Sequence, residues 1–194
     1  MILDNIEELN IDKEFLVKCE EFKKILQHWG KIHNLSAELE DSKIENNIYD
    51  SIYVLKFIKE YASVADIGTG AGYPGLILAM ARPNIKFYLI EPRAKRVAFL
   101  NFVKNSLKLD NVEILCNRVE YVKDINVELI TSRAVTNTAL LLNLTKDISN
   151  ENTSYLFYKG SMLESELEEA KIYNYKIIKK DEKRNYLYIN KGVK

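Results

Sequence analysis

Asp66-Ile67-Gly68-Thr69-Gly70-Ala71-Gly72-Tyr73-Pro74-Gly75 decides the fold of this 194-residue chain. Only seven glycines occur in the whole sequence, and four of them fall in these ten positions. The stretch follows a short apolar run, Ser63 to Ile67, and precedes another, Leu76 to Ala81. It therefore reads as the turn between a strand and a helix. Glycine lets a backbone turn sharply and come close to a ligand. Pro74 suits the first turn of a helix, and a helix N-terminus attracts a phosphate or a nucleoside. Four glycines are more than a plain connection requires, which favours a turn that holds a ligand.

Two nucleoside patterns compete for this turn. Gly70-Ala71-Gly72-Tyr73-Pro74-Gly75 fits the G-x-G-x-x-G of dinucleotide-binding folds. Asp66, two residues before the first glycine, fits instead the D-x-G-x-G-x-G turn of S-adenosylmethionine-dependent methyltransferases. A carboxylate there attracts the cationic amino-acid end of S-adenosylmethionine, directly or through water, and repels a pyrophosphate. Glu91, at the end of the next strand, suits the ribose hydroxyls of either nucleoside and does not discriminate. Length does, because a dehydrogenase needs a catalytic domain beyond its nucleotide fold and little chain is left for one. S-adenosylmethionine is the expected cofactor, with Asp66, Gly68, Gly70, Gly72 and Glu91 around it.

Outward from the turn, strands and helices alternate. Strands are expected at Ile85 to Ile90, Val112 to Leu115, Val127 to Thr131 and Ser154 to Tyr158, and two closing strands near Tyr175 to Ile178 and Tyr186 to Ile189. Helices are expected around Val97 to Leu107, Thr138 to Thr145 and Met162 to Lys171. Such alternation implies a parallel sheet with right-handed crossovers and helices on both faces. Ligands then bind at the carboxyl ends of the strands, where the topology switches.

The first 60 residues carry no strand signal. Phe15, Cys19, Phe22, Leu26 and Trp29 make one helical stripe, with Asp12 as its cap and Gly30 as its stop. Ile44, Ile48, Ile52, Leu55 and Ile58 make a second, over about Lys43 to Tyr61. Residues 1–61 are thus expected to form a helical extension on a core of residues 62–194.

Composition narrows the function. Apolar residues are 47% and charged residues 29%, a globular balance. Twenty-eight basic residues offset 28 acidic ones, which excludes gripping nucleic acid by bulk charge and leaves room for a local basic patch. Cys19 and Cys116 have no CxxC spacing, and His28 and His33 are the only histidines, so no metal site is expected. No apolar stretch reaches the roughly 18 residues of a membrane span. Asp4, Glu7 and Glu8 do not suit a signal peptide, so a cytoplasmic location is expected.

Several short motifs, in their order and spacing, resemble those of the small-subunit (16S) ribosomal RNA guanine-N7 methyltransferases, the glucose-inhibited division protein B family. Trp29-Gly30-Lys31-Ile32-His33-Asn34-Leu35-Ser36 is similar to the family's W-N-K-x-x-N-L-T, and Asp50-Ser51 to its D-S. Asp66 to Gly75 is similar to its D-[VI]-G-[ST]-G-x-G-x-P-G, and Glu91 to Leu100 to its [DE]-x-x-x-K-R-x-x-F-L. Arg118-Val119-Glu120, Ser132-Arg133-Ala134 and Lys159-Gly160 follow in the family's order. Gly30 departs from the family's Asn. Asn46-Asn47 departs from its Arg-His, which bears on an RNA or cofactor contact in the N-terminal region.

The resemblance implies an α/β, Rossmann-like class I S-adenosylmethionine-dependent methyltransferase with a mostly parallel seven-stranded sheet and an N-terminal helical extension. The implied reaction moves a methyl group to N7 of a guanine in 16S ribosomal RNA, free or in the small subunit, by a monomer. By position it adds Tyr73, Val119, Glu120 and Arg133 to the cofactor site. Because N7 is a free lone pair, no general base is needed and none is evident. Arg133 and Lys159, at strand ends, are the candidate catalytic residues, for the guanine O6 edge and RNA phosphate. Arg93, Lys95, Arg96, Lys104 and Lys108, or Lys23, Lys24 and Lys31, offer phosphate contacts, and Trp29 is expected in the core. Three rivals stay open: a methyltransferase for another RNA, a protein or a small molecule; a non-catalytic S-adenosylmethionine-binding ribosome-assembly module; and an NAD-binding oxidoreductase.

Overall fold

A computed structural model of the chain describes residues 6–33, 39–133, 136–160, 163, 166–167, 174–182 and 184–190. Seven strands form one sheet: β1 (Ser63–Ile67), β2 (Lys86–Ile90), β3 (Val112–Leu115), β4 (Leu129–Arg133), β5 (Ser154–Lys159), β6 (Lys176–Lys179) and β7 (Asn185–Ile189). Their order is β3-β2-β1-β4-β5-β7-β6. The pairs among β1 to β5 are parallel, and β7 runs antiparallel to both β5 and β6. The chain leaves β1 for β2 on one side and returns to lay β4 on the other, so the topology switches between β1 and β4. A crevice opens there beyond the strands' carboxyl ends.

Side-chain alternation explains why both faces are covered. Val64, Phe87, Leu89, Leu129, Leu156 and Tyr158 point into one apolar cluster, shared with the helices α1 (Glu14–His33), α2 (Asp41–Ile52), α3 (Gly75–Ala81) and α4 (Ala94–Ser106). Their neighbours Ala65, Ile67, Ile90, Ile130, Tyr155 and Phe157 point into the other, shared with α5 (Thr138–Leu144) and with Leu163 and Leu167. The helix expected at 162–171 lies outside the described residues apart from Leu163, Glu166 and Leu167. The N-terminal helices bury their stripes in the same cluster as the sheet.

α1 begins as expected, with Asp12 accepting a hydrogen bond from the Glu14 N–H at 2.7 Å. It does not stop at Gly30 but continues to His33. The glycine is there for close packing, since a Cβ on it would lie 2.3 Å from Leu39 Cδ2. Trp29 packs edge-on to Phe99, as expected of a core residue.

α2 is shorter than its apolar spacing predicts. It ends at Ile52 and gives way to a 3-10 turn, Tyr53–Lys56. In a longer helix the carbonyls of Asp50 and Ser51 would accept from the amides four residues on. Instead Tyr158 OH donates to Ser51 O at 2.7 Å, and Tyr186 OH, whose short bond goes to Asp50 Oδ1, lies 3.3 Å from Asp50 O. The sheet takes an acceptor on which the helix would have continued. β4 likewise starts two residues later than expected and runs two residues further, so that Arg133 is the last residue of the strand itself.

Gly75 sits where the start of α3 crosses β1 and β2. A Cβ there would come within 2.5 Å of Asp66 Cβ, which is fixed to the β1 backbone, and 2.6 Å of Leu89 Cδ2 in the filled core. Gly75→Ala should cost about 1–3 kcal/mol by overpacking and lower the melting temperature by several degrees. Gly160→Ala, whose Cβ would meet nothing within 4 Å, should leave it unchanged in the same thermal scan.

Candidate active site at the switch between β1 and β4

The glycine turn leaves β1 at the switch point. Gly68, Gly70 and Gly72 all take positive φ, at 66°, 61° and 99°, which an L side chain rarely adopts. The Gly68 N–H donates to Ile90 O at 2.8 Å, closing the turn onto β2. A Cβ on Gly72 would strike Leu76 at 2.8 Å, so Gly72 is required by packing. A Cβ on Gly70 would meet nothing nearer than 3.7 Å, so Gly70 faces the open side of the turn.

Asp66 and Glu91 support the turn from below. Asp66 has no exposed surface, and its Oδ2 accepts the Gly75 N–H at 2.9 Å, tying the end of β1 to the first residue of α3. Burial, with a smaller push from Glu91, raises the Asp66 carboxyl to about 7, against the pull of Thr69, the Gly75 N–H and Arg133. Glu91 is also buried. Its Oε2 accepts the Gly70 N–H at 3.1 Å and its Oε1 accepts the Arg93 N–H at 3.0 Å. Both carboxylates thus serve the backbone of the turn.

Arg133 crosses the mouth from β4. Its guanidinium carbon lies 4.8 Å from the centroid of the Tyr73 ring, over the far end of the glycine turn. Its Nη1 donates to Asn47 Oδ1 at 2.8 Å and lies 3.6 Å from Asp50 Oδ2. Asn47 is one of the two positions that depart from the family's Arg-His, so this departure touches Arg133 directly. Tyr73 is itself held edge-on to Phe22 of α1. The sheet, the turn and both N-terminal helices therefore meet at one guanidinium.

Asp50 is the residue that motif spacing marked without a role. It is buried, with Lys180 Nζ 3.1 Å from Oδ1, Arg184 Nε 3.2 Å from Oδ2 and Arg133 opposite. The Tyr186 hydroxyl donates to Oδ1 at 2.8 Å. Burial first, and then the Asp50 charge, push the Tyr186 and Tyr158 phenols far up, so both remain protonated donors. Lys180 and Arg184 are not visible as site residues from sequence, because they enter from β6 and β7, far along the chain. The Asp-Ser motif was the only available pointer.

Lys159 and the cofactor candidates on β3 sit differently. Lys159, at the end of β5, donates to Thr136 O at 3.0 Å and to Glu166 Oε1 at 2.7 Å. Glu166 is partly buried, yet these bonds and those from Thr138 hold its carboxyl below the usual range. Lys159 still lines an open cleft beside the ends of β4 and β5, with Ser132, Asn137, Gly160 and Arg184. Val119 and Glu120 lie in a 3-10 turn after β3. The Val119 side chain is buried in the core, and Glu120 is half-exposed beside Arg118.

Two expected phosphate contacts are otherwise engaged. Lys23 is mostly buried among Glu20, Asp41 and Glu45, where it ties α1 to α2. Arg96 approaches Glu91 at 3.5 Å and does not stand on an open helix face. Arg93, Lys95, Lys108, Lys24 and Lys31 are exposed.

The sheet order, the glycine turn and its acidic supports define the class I methyltransferase fold. A solved S-adenosylmethionine-dependent methyltransferase from Aquifex aeolicus superposes with a TM-score of 0.61 at 22% identity, covering 77% of this chain and 92% of that one. The family model GidB, rRNA small subunit methyltransferase G, matches residues 16–188. The chain is 66% identical over 181 residues to the Ribosomal RNA small subunit methyltransferase G of Aliarcobacter butzleri (strain RM4018), covering 93% of each. It is 42% identical over 177 residues to the protein of that name from Wolinella succinogenes, covering 91% of this chain and 90% of the relative. The chain belongs to this family of small-subunit rRNA methyltransferases.

A carboxyl raised from 3.8 to about 7 by folding adds stability in full below pH 4 and loses it as the pH climbs through 7. Asn at position 66 keeps an acceptor for the Gly75 N–H and removes the titration. The stability of Asp66→Asn relative to wild type should rise between pH 4 and 7, by on the order of 4 kcal/mol, and stay level above. Urea unfolding midpoints across that range give the measurement.

Proposed function

We propose that this protein transfers a methyl group from S-adenosylmethionine to N7 of a guanine in 16S ribosomal RNA, acting as a monomer in the cytosol. Family membership supports the rRNA substrate class. The observation that carries the site is the meeting of an open glycine turn and a stacked arginine at the switch point. Gly70 leaves the space a nucleoside needs, and Tyr73 with Arg133 bounds it on the side of β4. A nucleoside bearing a cationic tail suits a crevice whose buried floor is two acidic side chains, Asp66 and Glu91. A pyrophosphate does not, which sets the oxidoreductase reading aside.

When bound, S-adenosylmethionine supplies an electrophilic methyl on a sulfonium, which needs no further activation. Gly68, Gly70 and Gly72 would let the cofactor come close to the backbone of the turn, while Asp66 and Glu91 hold that backbone in shape. A ribose hydroxyl would be a further donor to Glu91, whose two oxygens already accept the Gly70 and Arg93 N–H groups. Val119 and Glu120, in the turn after β3, and Tyr73 and Arg133, on the side of β4, would hold the nucleoside between them. The N7 lone pair carries no proton, so no residue here needs to act as a base. What remains is orientation, which alone is worth several kcal/mol of barrier.

Arg133 has the donors to read the guanine O6 edge, and Asn47 and Asp50 keep it from turning away. Lys159, neutralised by Glu166, marks the cleft through which RNA passes. The major groove of paired RNA is too deep for such a contact, so the target guanine is taken from an unstacked position.

Three measurements test the assignment. Calorimetry should detect S-adenosylmethionine and its demethylated product and give no heat with NAD. Gly70→Val should abolish that heat, because the side chain fills the open space beside the turn. Arg133→Ala should lower the turnover of label into small subunits about 100-fold with cofactor affinity within about threefold. Equal losses in both would move Arg133 wholly into the cofactor shell.

A further inference from the structure

The turn of the β6–β7 hairpin is built so that its two ends face Asp50. The Arg184 N–H donates to Asp181 Oδ1 at 2.9 Å, and the Lys180 N–H donates to Arg184 O at 3.0 Å. Residues 180 and 184 thus stand opposite each other, and both side chains reach the same buried carboxylate. Lys180 is enclosed there, its ammonium 4.9 Å from the Tyr49 ring centroid and 5.4 Å from that of Tyr53. Arg184 is not enclosed. Its side chain is 26% exposed, and it lines the cleft beside the ends of β4 and β5.

Charge accounting singles out Arg184 within that cleft. Lys159 has its own counterion in Glu166 at 2.7 Å. Arg184 shares Asp50 with Lys180 and Arg133, so one carboxylate answers three cations. Arg184 meets Asp50 through Nε at 3.2 Å, and a guanidinium carries two further nitrogens with which to take a phosphate. Gly160 lines the same cleft, and a Cβ on it would meet nothing within 4 Å.

We propose that Arg184 is a substrate-binding residue that takes a backbone phosphate of the RNA in this cleft, and that Asp50 positions it together with Arg133. The inference rests on the rRNA methyltransferase reading and adds a second substrate contact to it. Because one carboxylate holds both guanidiniums, the phosphate and the target base are gripped at a set separation. An exposed lysine elsewhere on the surface has no such coupling.

The test uses the full chain with small ribosomal subunits as substrate. Arg184→Ala should raise KM for subunits about tenfold and lower the slope of log affinity against log salt by about 0.7–0.9, one phosphate contact. Turnover and S-adenosylmethionine affinity should stay within about twofold of wild type. Arg184→Lys keeps the charge and should restore most of the slope but not all of KM. Asp50→Asn should raise KM and also lower turnover, since Arg133 loses the same anchor. If that variant does not fold, the two Arg184 variants still decide the matter. An unchanged slope and KM in Arg184→Ala, or a loss of cofactor affinity as large as the rise in KM, overturns the proposal. A wild-type protein that puts no label on small subunits overturns the functional reading itself, which is a separate result.

Discussion

A carboxylate with no exposed surface holds the site together. Asp66 sits one residue before the end of β1 and accepts the N–H of Gly75, the first residue of α3. Gly75 has no room for a side chain because Asp66 and Leu89 already occupy it. The seven residues between Ile67 and Gly75 must therefore leave and return over a very short span. Only a run with glycines at positive φ can do so, and the cost of burying Asp66 is the condition for that geometry. Gly72 is turned inward against Leu76 while Gly70 is turned outward, which leaves open space beside the turn.

The N-terminal helices are part of this site and not a separate cover. Phe22 of α1 supports the Tyr73 ring, Asn47 and Asp50 of α2 hold Arg133, and the sheet reaches back to α2 through the Tyr158 and Tyr186 hydroxyls. A buried ion cluster of this kind is a poor source of stability, since desolvation offsets most of the Coulomb gain. Its value is geometric: it brings β4, the β6–β7 hairpin and α2 to one point. Three elements far apart in sequence are thereby held in one relative placement.

Much of this was legible in the chain. The strands, their alternation with helices and the turn after β1 follow from local spacing, so the sheet and the place of its crevice could be read directly. Two local expectations failed for a common reason. The stop at Gly30 and the long second helix were sound by helix rules, yet Leu39 packs over the glycine, and tyrosines of the sheet bond the Ser51 carbonyl and the Asp50 side chain where the helix would have continued. Lys23 and Arg96 read as free cations because their counterions come from other elements or from a buried strand end.

By itself the sequence determined the strand–helix alternation, the glycine turn and the acidic residues beside it, because each rests on neighbours within a few positions. Only the tertiary structure decided that Asp50 anchors Arg133, Lys180 and Arg184, and that Asp66 and Glu91 bond the turn's own amides. Those pairings join residues as far apart as Asp50 and Arg184, 134 positions along the chain. They depend on which strands lie side by side, and no local pattern of residues records that.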